Sequence, residues 1–411
     1  MPSSTPRPSR TSMDLDQLLS AVASRAVIRY TVELAVAGSD GLVCPPTYSA
    51  ARRGDPPYIA FRSAWVGGRQ RDVVVLDSPQ SQSNRVELAL LQAHRAGRIA
   101  YPDIEIHFPP GSGEPVYSVL QLSHRIYDAV MRACDTADGT AFFESDIGKA
   151  LASARPALAT PLFQHAPVAL VLGAWDSNGG GGPLAAKLPR LLTSEIIGLD
   201  AKPADISATK FDPMDIRSQV AELVDSDDPV RRFDIRKPGP KGAKGSAKRP
   251  SEFGFGSVPS TAVPRAAVIS GALQTSVLSL SGLRHLSFPG EDGAIDAERD
   301  QAGRAVLAAL ALYGLIAQNE SGYLLRSRCE LLPQDAGRLE LIGRTLQEVE
   351  AAQLPAEGAR GLLSQALAHA GRYGLAFRDH TLVLTADSRL QELVRRSRQA
   401  AASGEPVDEA K

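Results

Sequence analysis

The order of periodic segments along this chain predicts an α+β fold. Three observations carry the prediction. AVIRYTVELAV (26–36) sets Ile28, Tyr30, Val32, Leu34 and Val36 against Arg29, Thr31 and Glu33, the period of a half-buried strand. The apolar run AVLAALALYGLIA (305–317) follows a charged segment with helical spacing and is shorter than the ~18 to 20 residues a bilayer requires, so it reads as a buried helix. Strands and helices come in mixed order with long insertions between them, which favours α+β over a regularly alternating α/β arrangement.

The remaining elements follow in order. MPSSTPRPSR has no apolar core and is not a secretory signal; residues 1–20 read as a disordered tail. RDVVVLDS (71–78) suits a more buried strand, and the SPQSQSNRVELALLQAHRAG that follows caps and continues as a helix with Val86, Ala89, Leu90 and Ala93 on one stripe. IEIHF (104–108) is a short strand, and SVLQLSHRIYDAVMRA (118–133) repeats Val119, Leu122, Ile126 and Val130 at helical spacing. VALVLGAW (168–175) reads as a buried strand ending in SNGGGG, and 188–201 as a returning strand. Residues 202–260 lack apolar periodicity and read as a long exposed insertion. Strands are expected at 265–280, 322–332 and 375–386, and helices at 297–318, 335–353, 357–372 and a basic one through Arg389, Arg395, Arg396 and Arg398. The organisation is therefore a tail (1–20), a main domain (21–332) with the 202–260 insertion, an extension (333–400) and a flexible tail (401–411), without internal repeats.

Composition narrows the function. The 411 residues are 43% hydrophobic and 22% charged with a formal net charge of -1, so attraction to nucleic acid has to be local rather than global. Cys44, Cys134 and Cys329 form no CxxC pair, which leaves neither a zinc site nor a disulfide framework and suits a reducing cytoplasm.

Four places could carry function. At 78–87 a strand, a polar turn and a helix start offer backbone N–H groups to an anion, with Gln82, Ser83 and Asn84 as neutral donors and Arg85 as a charge; a well-capped helix explains the same residues. Arg85, at an exposed helix start, should then be replaceable without damage to the fold. His124 and Arg125 lie in SHR, where a lone histidine is most often a satisfied surface side chain, and no catalytic triad follows from spacing. In SNGGGGPLAAKLPR, glycines precede Lys187 and Arg190 without completing a Walker loop, and FGFGSVP supplies only Gly254 and Gly256 of a GxGxxG. Asp103, Glu105 and His107 alternate along one strand, better explained by a polar face than by a metal. The fourth place is 231–260, with eight basic residues between Arg231 and Arg249 against Asp234 alone. Such an excess neutralises phosphates, while Phe253 and Phe255 could stack on bases and Gly254 and Gly256 admit close backbone approach; a solvated linker and a turn is the plainer account.

SPQSQSNRVE, SVLQLSHRI, the glycine loop leading to KLPRLL, FGFGSVP after a basic loop, and ALYGLIAQNESGYLLRSRCEL occur in an order, over roughly residues 20–332, that resembles the repeated backbone subunit of the type I-G (formerly I-U) CRISPR Cascade effector, a RAMP-superfamily protein of the Cas-seven group. The resemblance implies an RRM-like (ferredoxin-like) palm with thumb and finger insertions, 202–260 being one. It implies several copies aligned along a CRISPR guide RNA, which then pairs with target DNA, beside other Cascade subunits and a separate helicase-nuclease. Guide contacts would fall on Gln82, Ser83, Asn84, Arg85, His124, Arg125, Lys187, Arg190, Arg249 and Phe253 to Gly256 (Phe253, Gly254, Phe255, Gly256), with no catalytic residue, cofactor, metal or membrane involved. A subunit that holds any guide must grip backbone rather than base edges, because specificity is delegated to pairing. A RAMP endoribonuclease of type III character, using Asp205, Asp212 or Asp215, is the alternative, and a nucleotide-handling enzyme using the glycine loops a third.

Overall fold

The computed structural model describes residues 11–403 except 51, 53–54, 56, 177–186, 207–211, 217–220, 227–231, 237–247 and 257–262. The chain divides into a first unit, residues 1–202 and 267–387, and a second, 203–266 and 388–411.

The first unit is built on a ten-stranded sheet. Helix α1 (Leu15–Ser24) precedes β1 (Val27–Val36); β2 (Phe61–Val66) and β3 (Arg69–Asp77) form a hairpin leading into α2 (Pro79–Arg95). Then come β4 (Leu192–Leu199), β5 (Gly271–Ser279), helix α3 (Ala297–Glu320), β6 (Tyr323–Arg326), β7 (Cys329–Pro333), β8 (Arg338–Ile342), β9 (Val349–Gln353) and helix α4 (Ala356–Gly371). Across the sheet the order is β9-β8-β1-β5-β4-β3-β2, with Thr11–Ser12 as a tenth, parallel strand on the outer edge of β9, β7 beside the far end of β1 and β6 beside β7. All the other neighbours run antiparallel.

Register decides which face is covered. Ala272, Gln274, Ser276 and Leu278 of β5 stand opposite Leu34, Val32, Tyr30 and Ile28 of β1, and on β5 these alternate residues are the buried ones. On that face Gln274 meets Gln82 of α2 and Asn319 at the end of α3, while Val32, Leu34, Val74, Leu76 and Ile196 pack with Val43, Ile269, Tyr323 and Leu331. The opposite face carries Arg29, Thr31, Glu33, Thr275 and Glu195, including an Arg29–Glu340 ion pair at 2.8 Å, as an antiparallel sheet with one solvated face should. Helix α3 is apolar around most of its circumference because it packs against α1, α2 and α4 at once, and Gly314 lets α2 approach closely: a Cβ there would meet Val86 at 2.9 Å. No described helix is long and apolar enough to cross a membrane.

Several sequence expectations are corrected. Residues 15–20, expected to be part of a tail, form α1 together with 21–24, fixed by an Asp14–Gln17 capping box. Residues 118–133 make three short 3₁₀ turns in place of one helix. Residues 168–172 are helical, and only Ala174–Trp175 is strand; all five helical side chains are buried, so no period could distinguish the two. The 265–280 strand is two strands that join different sheets, Val263–Val268 and Gly271–Ser279. The 335–353 helix is β8 and β9: Leu339 and Leu341 are buried between exposed Arg338 and half-exposed Glu340, and pairing with β1 overrides the helical spacing. Because β8 lies directly beside β1, the expected boundary at 332/333 does not separate a distinct extension.

In the second unit Leu223–Asp225 pairs with Phe233–Ile235, and Phe253 and Phe255 pack on Phe233 with centroids at 5.8 and 4.9 Å. Helix Ser388–Ser403 carries Glu392 between Arg395 and Arg396, both at 2.7 Å. Arg231, Lys237, Lys241, Lys244, the SNGGGG loop and 404–411 lie outside the described residues.

Candidate nucleic-acid interface

Four of the expected residues, His124, Arg125, Lys187 and Arg190, line one cleft of about 560 Å³ in the first unit. Its wall is a two-stranded ribbon in which Ala174 pairs with Leu188 and Trp175 with Lys187. Directly opposite residues share a face, so the ribbon buries Ala174 and Leu188 and presents Trp175 and Lys187 outward. Trp175 is 58% exposed, with the Lys187 ammonium 6.0 Å from its ring.

The ribbon is held by buried charge. Glu87, on α2 and almost fully buried, receives the Arg125 guanidinium through Nε at 2.5 Å and Nη2 at 3.2 Å, and Arg125 Nη1 donates to the Gly173 carbonyl at 3.1 Å. Gly173 has φ 81°, and a Cβ would meet the Arg190 nitrogen and the Leu188 carbonyl, each at 2.9 Å; only glycine fits. On the other side of Trp175, Asp176 accepts two 2.9 Å bonds from Arg132. Arg125 itself has φ 55°, a conformation unfavourable for a side chain and maintained by these contacts.

This geometry splits the expected contact residues by role. Arg125 is 13% exposed and serves Glu87 and Gly173, so it builds the cleft more than it offers charge to a ligand. Arg190 donates only to the Leu172 carbonyl, at 3.3 Å, and among the described residues neither it nor Lys187 has a carboxylate in ion-pair range. Burial, then the neighbouring Arg125 charge, lowers the Arg190 guanidinium from its ordinary value, while burial raises Glu87 against the pull of Arg125 and Arg190. One carboxylate thus stands between two guanidiniums, and the surplus positive charge suits an anion. His124 is exposed at the rim.

The start of α2 is placed differently from expectation. Gln82 is fully buried: its amide nitrogen donates to Asp77 at 2.6 Å, and its carbonyl accepts from Ser194, Gln274 and Gln318 at 2.7, 3.0 and 3.1 Å. Ser83, also buried, donates to the Pro79 carbonyl, and Asn84 alone of the four is exposed. Arg85 reaches inward to the fully buried Asp77 carboxylate at 3.0 Å and to the Leu325 carbonyl. Gln82 and Arg85 therefore pin α2 to the sheet, which corrects the reading of Arg85 as an exposed charge dispensable to the fold. Ser78 caps the helix, as the capped-helix alternative required.

In the second unit Phe253 and Phe255 are half-buried against Phe233, so their rings fill a small core instead of standing open for bases. Gly254 and Gly256 do have positive φ, 87° and 92°, and Arg249 is exposed. Asp212 accepts from the Met214 and Ile216 amides, which occupies its carboxylate in a turn; Asp205 and Asp215 are exposed. Glu105 and His107 pair at 3.0 Å, and no group of three metal-ligating side chains occurs among the described residues.

Sequence reasoning missed Trp175 and Glu87. An aromatic closing a buried run just before a glycine loop was the available signal for the first; nothing local marks the second, whose partner is 38 positions away.

Residues 28–203 match the family described as CRISPR-associated protein GSU0053, and the whole cleft lies within that segment. The expected resemblance to a CRISPR-associated family is borne out over that stretch. The crystal structure of Thermofilum pendens Csc2 is 11% identical, over 97% of this chain and 83% of that one, with a TM-score of 0.28. Comparison with curated proteins finds no match.

Proposed function

With the CRISPR-associated match over residues 28–203 as premise, we propose that this chain is a non-catalytic backbone subunit of a type I CRISPR effector. It holds the guide RNA, aligns with further copies of itself along that RNA, and leaves the bases free to pair with target DNA. Other Cascade subunits and a recruited helicase-nuclease complete the assembly in the cytoplasm. The observation that carries this reading is the cleft: Lys187 and Arg190 without carboxylates in ion-pair range among the described residues, His124 at the rim, and an exposed indole on a ribbon fixed by buried charge. Such a surface grips phosphate and sugar and has few groups to read base edges.

The RRM-like palm belongs to the same reading. Its support is connectivity: counting β1, β4, β5 and β8 as first to fourth, the spatial order is fourth-first-third-second, with α2 between the first and second and α3 between the third and fourth. Both helices reach the same face at Gln274, α2 through Gln82 and α3 through Asn319, as in a β-α-β-β-α-β unit. The 202–260 stretch is the insertion that would act as a thumb, with Arg249 and the Phe253–Gly256 turn among its described residues.

The test is a salt titration of single-stranded RNA binding. Lys187→Ala/Arg190→Ala is expected to weaken binding about 20-fold near 0.1 M salt and to flatten the log-log salt slope by about 1.4, since each phosphate contact on a single strand contributes roughly 0.7. Unchanged affinity and slope would remove the cleft from the interface.

A further inference from the structure

We propose that Trp175 is a stacking platform that receives one unpaired base of the bound strand while Lys187 and Arg190 hold an adjacent phosphate. The inference rests on the RNA-binding reading and assigns its cleft a ligand unit, a single splayed nucleotide.

An indole that only completes a core is buried; Trp175 is 58% exposed while its neighbours Ala174 and Leu188 are almost fully buried. The exposure is enforced by the ribbon, because the pairing Trp175–Lys187 puts both side chains on the outer face and the backbone on either side is anchored by Arg125 and Arg132. The Lys187 ammonium at 6.0 Å adds a cation beside the ring, which favours stacking of a flat, polarisable base and sets a positive charge near its phosphate. The cleft, about 560 Å³, falls within the size of sites that hold small organic ligands. Every base has a π-face, so a single indole platform tolerates any sequence, which a guide-holding subunit needs.

The chain has two tryptophans, Trp65 and Trp175, so Trp65→Phe in the full-length protein leaves one indole to report. An oligoadenylate of roughly 12 nucleotides, within the span such proteins cover, is the probe, and affinity is read separately from the anisotropy of a labelled strand. The expected result is quenching of Trp175 emission on binding, a roughly 10-fold weaker complex for Trp175→Ala, consistent with base–aromatic stacking, and near-normal binding for Trp175→Phe. If RNA binds with the Lys187 and Arg190 dependence yet emission and the Trp175→Ala affinity do not change, the stacking role is overturned and the RNA-binding reading stands. If no RNA binds at all, both fall. Trp175 is 58% exposed, and an unchanged melting temperature for both variants confirms that binding alone is being compared.

Discussion

Arg125→Ala is expected to cost about 3 kcal/mol of unfolding free energy, read as a shifted denaturant midpoint, and to abolish the cleft's RNA affinity at the same time. Removing the guanidinium leaves Glu87, 4% exposed at its side chain, as a buried and uncompensated carboxylate. It also frees the Gly173 carbonyl, and with it the strand that carries Trp175. The double change Glu87→Leu/Arg125→Met should recover most of the stability, because replacing both members of a buried pair by apolar groups of similar size is often neutral. A loss below 1 kcal/mol for Arg125→Ala would show that Arg190 moves in to neutralise Glu87.

Arg85→Ala is expected to destabilise by about 2 kcal/mol while leaving RNA affinity per folded molecule unchanged. Asp77 is fully buried, and Arg85 is its closest cation; Arg326, 3.7 Å away, softens the loss, as does the 29% exposure of the Arg85 side chain. Thermal melts and the same RNA titration decide it. A variant that melts like the parent but binds RNA poorly would return Arg85 to the surface role its place at a helix start suggested.

What could be read from the sequence depended on whether the determining interaction was local. β1 was legible because one face of AVIRYTVELAV is apolar and the other polar, and α3 because its apolar run is long and continuous. Residues 335–353 were not, since Leu339, Ile342 and Val349 fit a helical stripe as well as a strand, and what settles the matter is pairing with Val27–Thr31, some 310 positions earlier. The site shows the same division. Lys187 and Arg190 stand out beside glycines, and both prove to line the cleft. Gln82 and Arg85 looked like helix-start donors, and their local capping chemistry is real; their true partners, Ser194, Gln274, Gln318 and Asp77, come from four other elements or their edges. Phe253 and Phe255 looked open for bases until Phe233, brought back by a short hairpin, covered them.

The central claim is that this chain holds a guide RNA, and its most direct test is the state in which it leaves the cell. Expressed with a CRISPR RNA and its partner subunits, it should purify with small RNA bound, shown by a nucleic-acid-dominated absorbance ratio, and by native mass as several copies per RNA. A clean, RNA-free monomer that ignores both guide RNA and partner subunits would contradict the account.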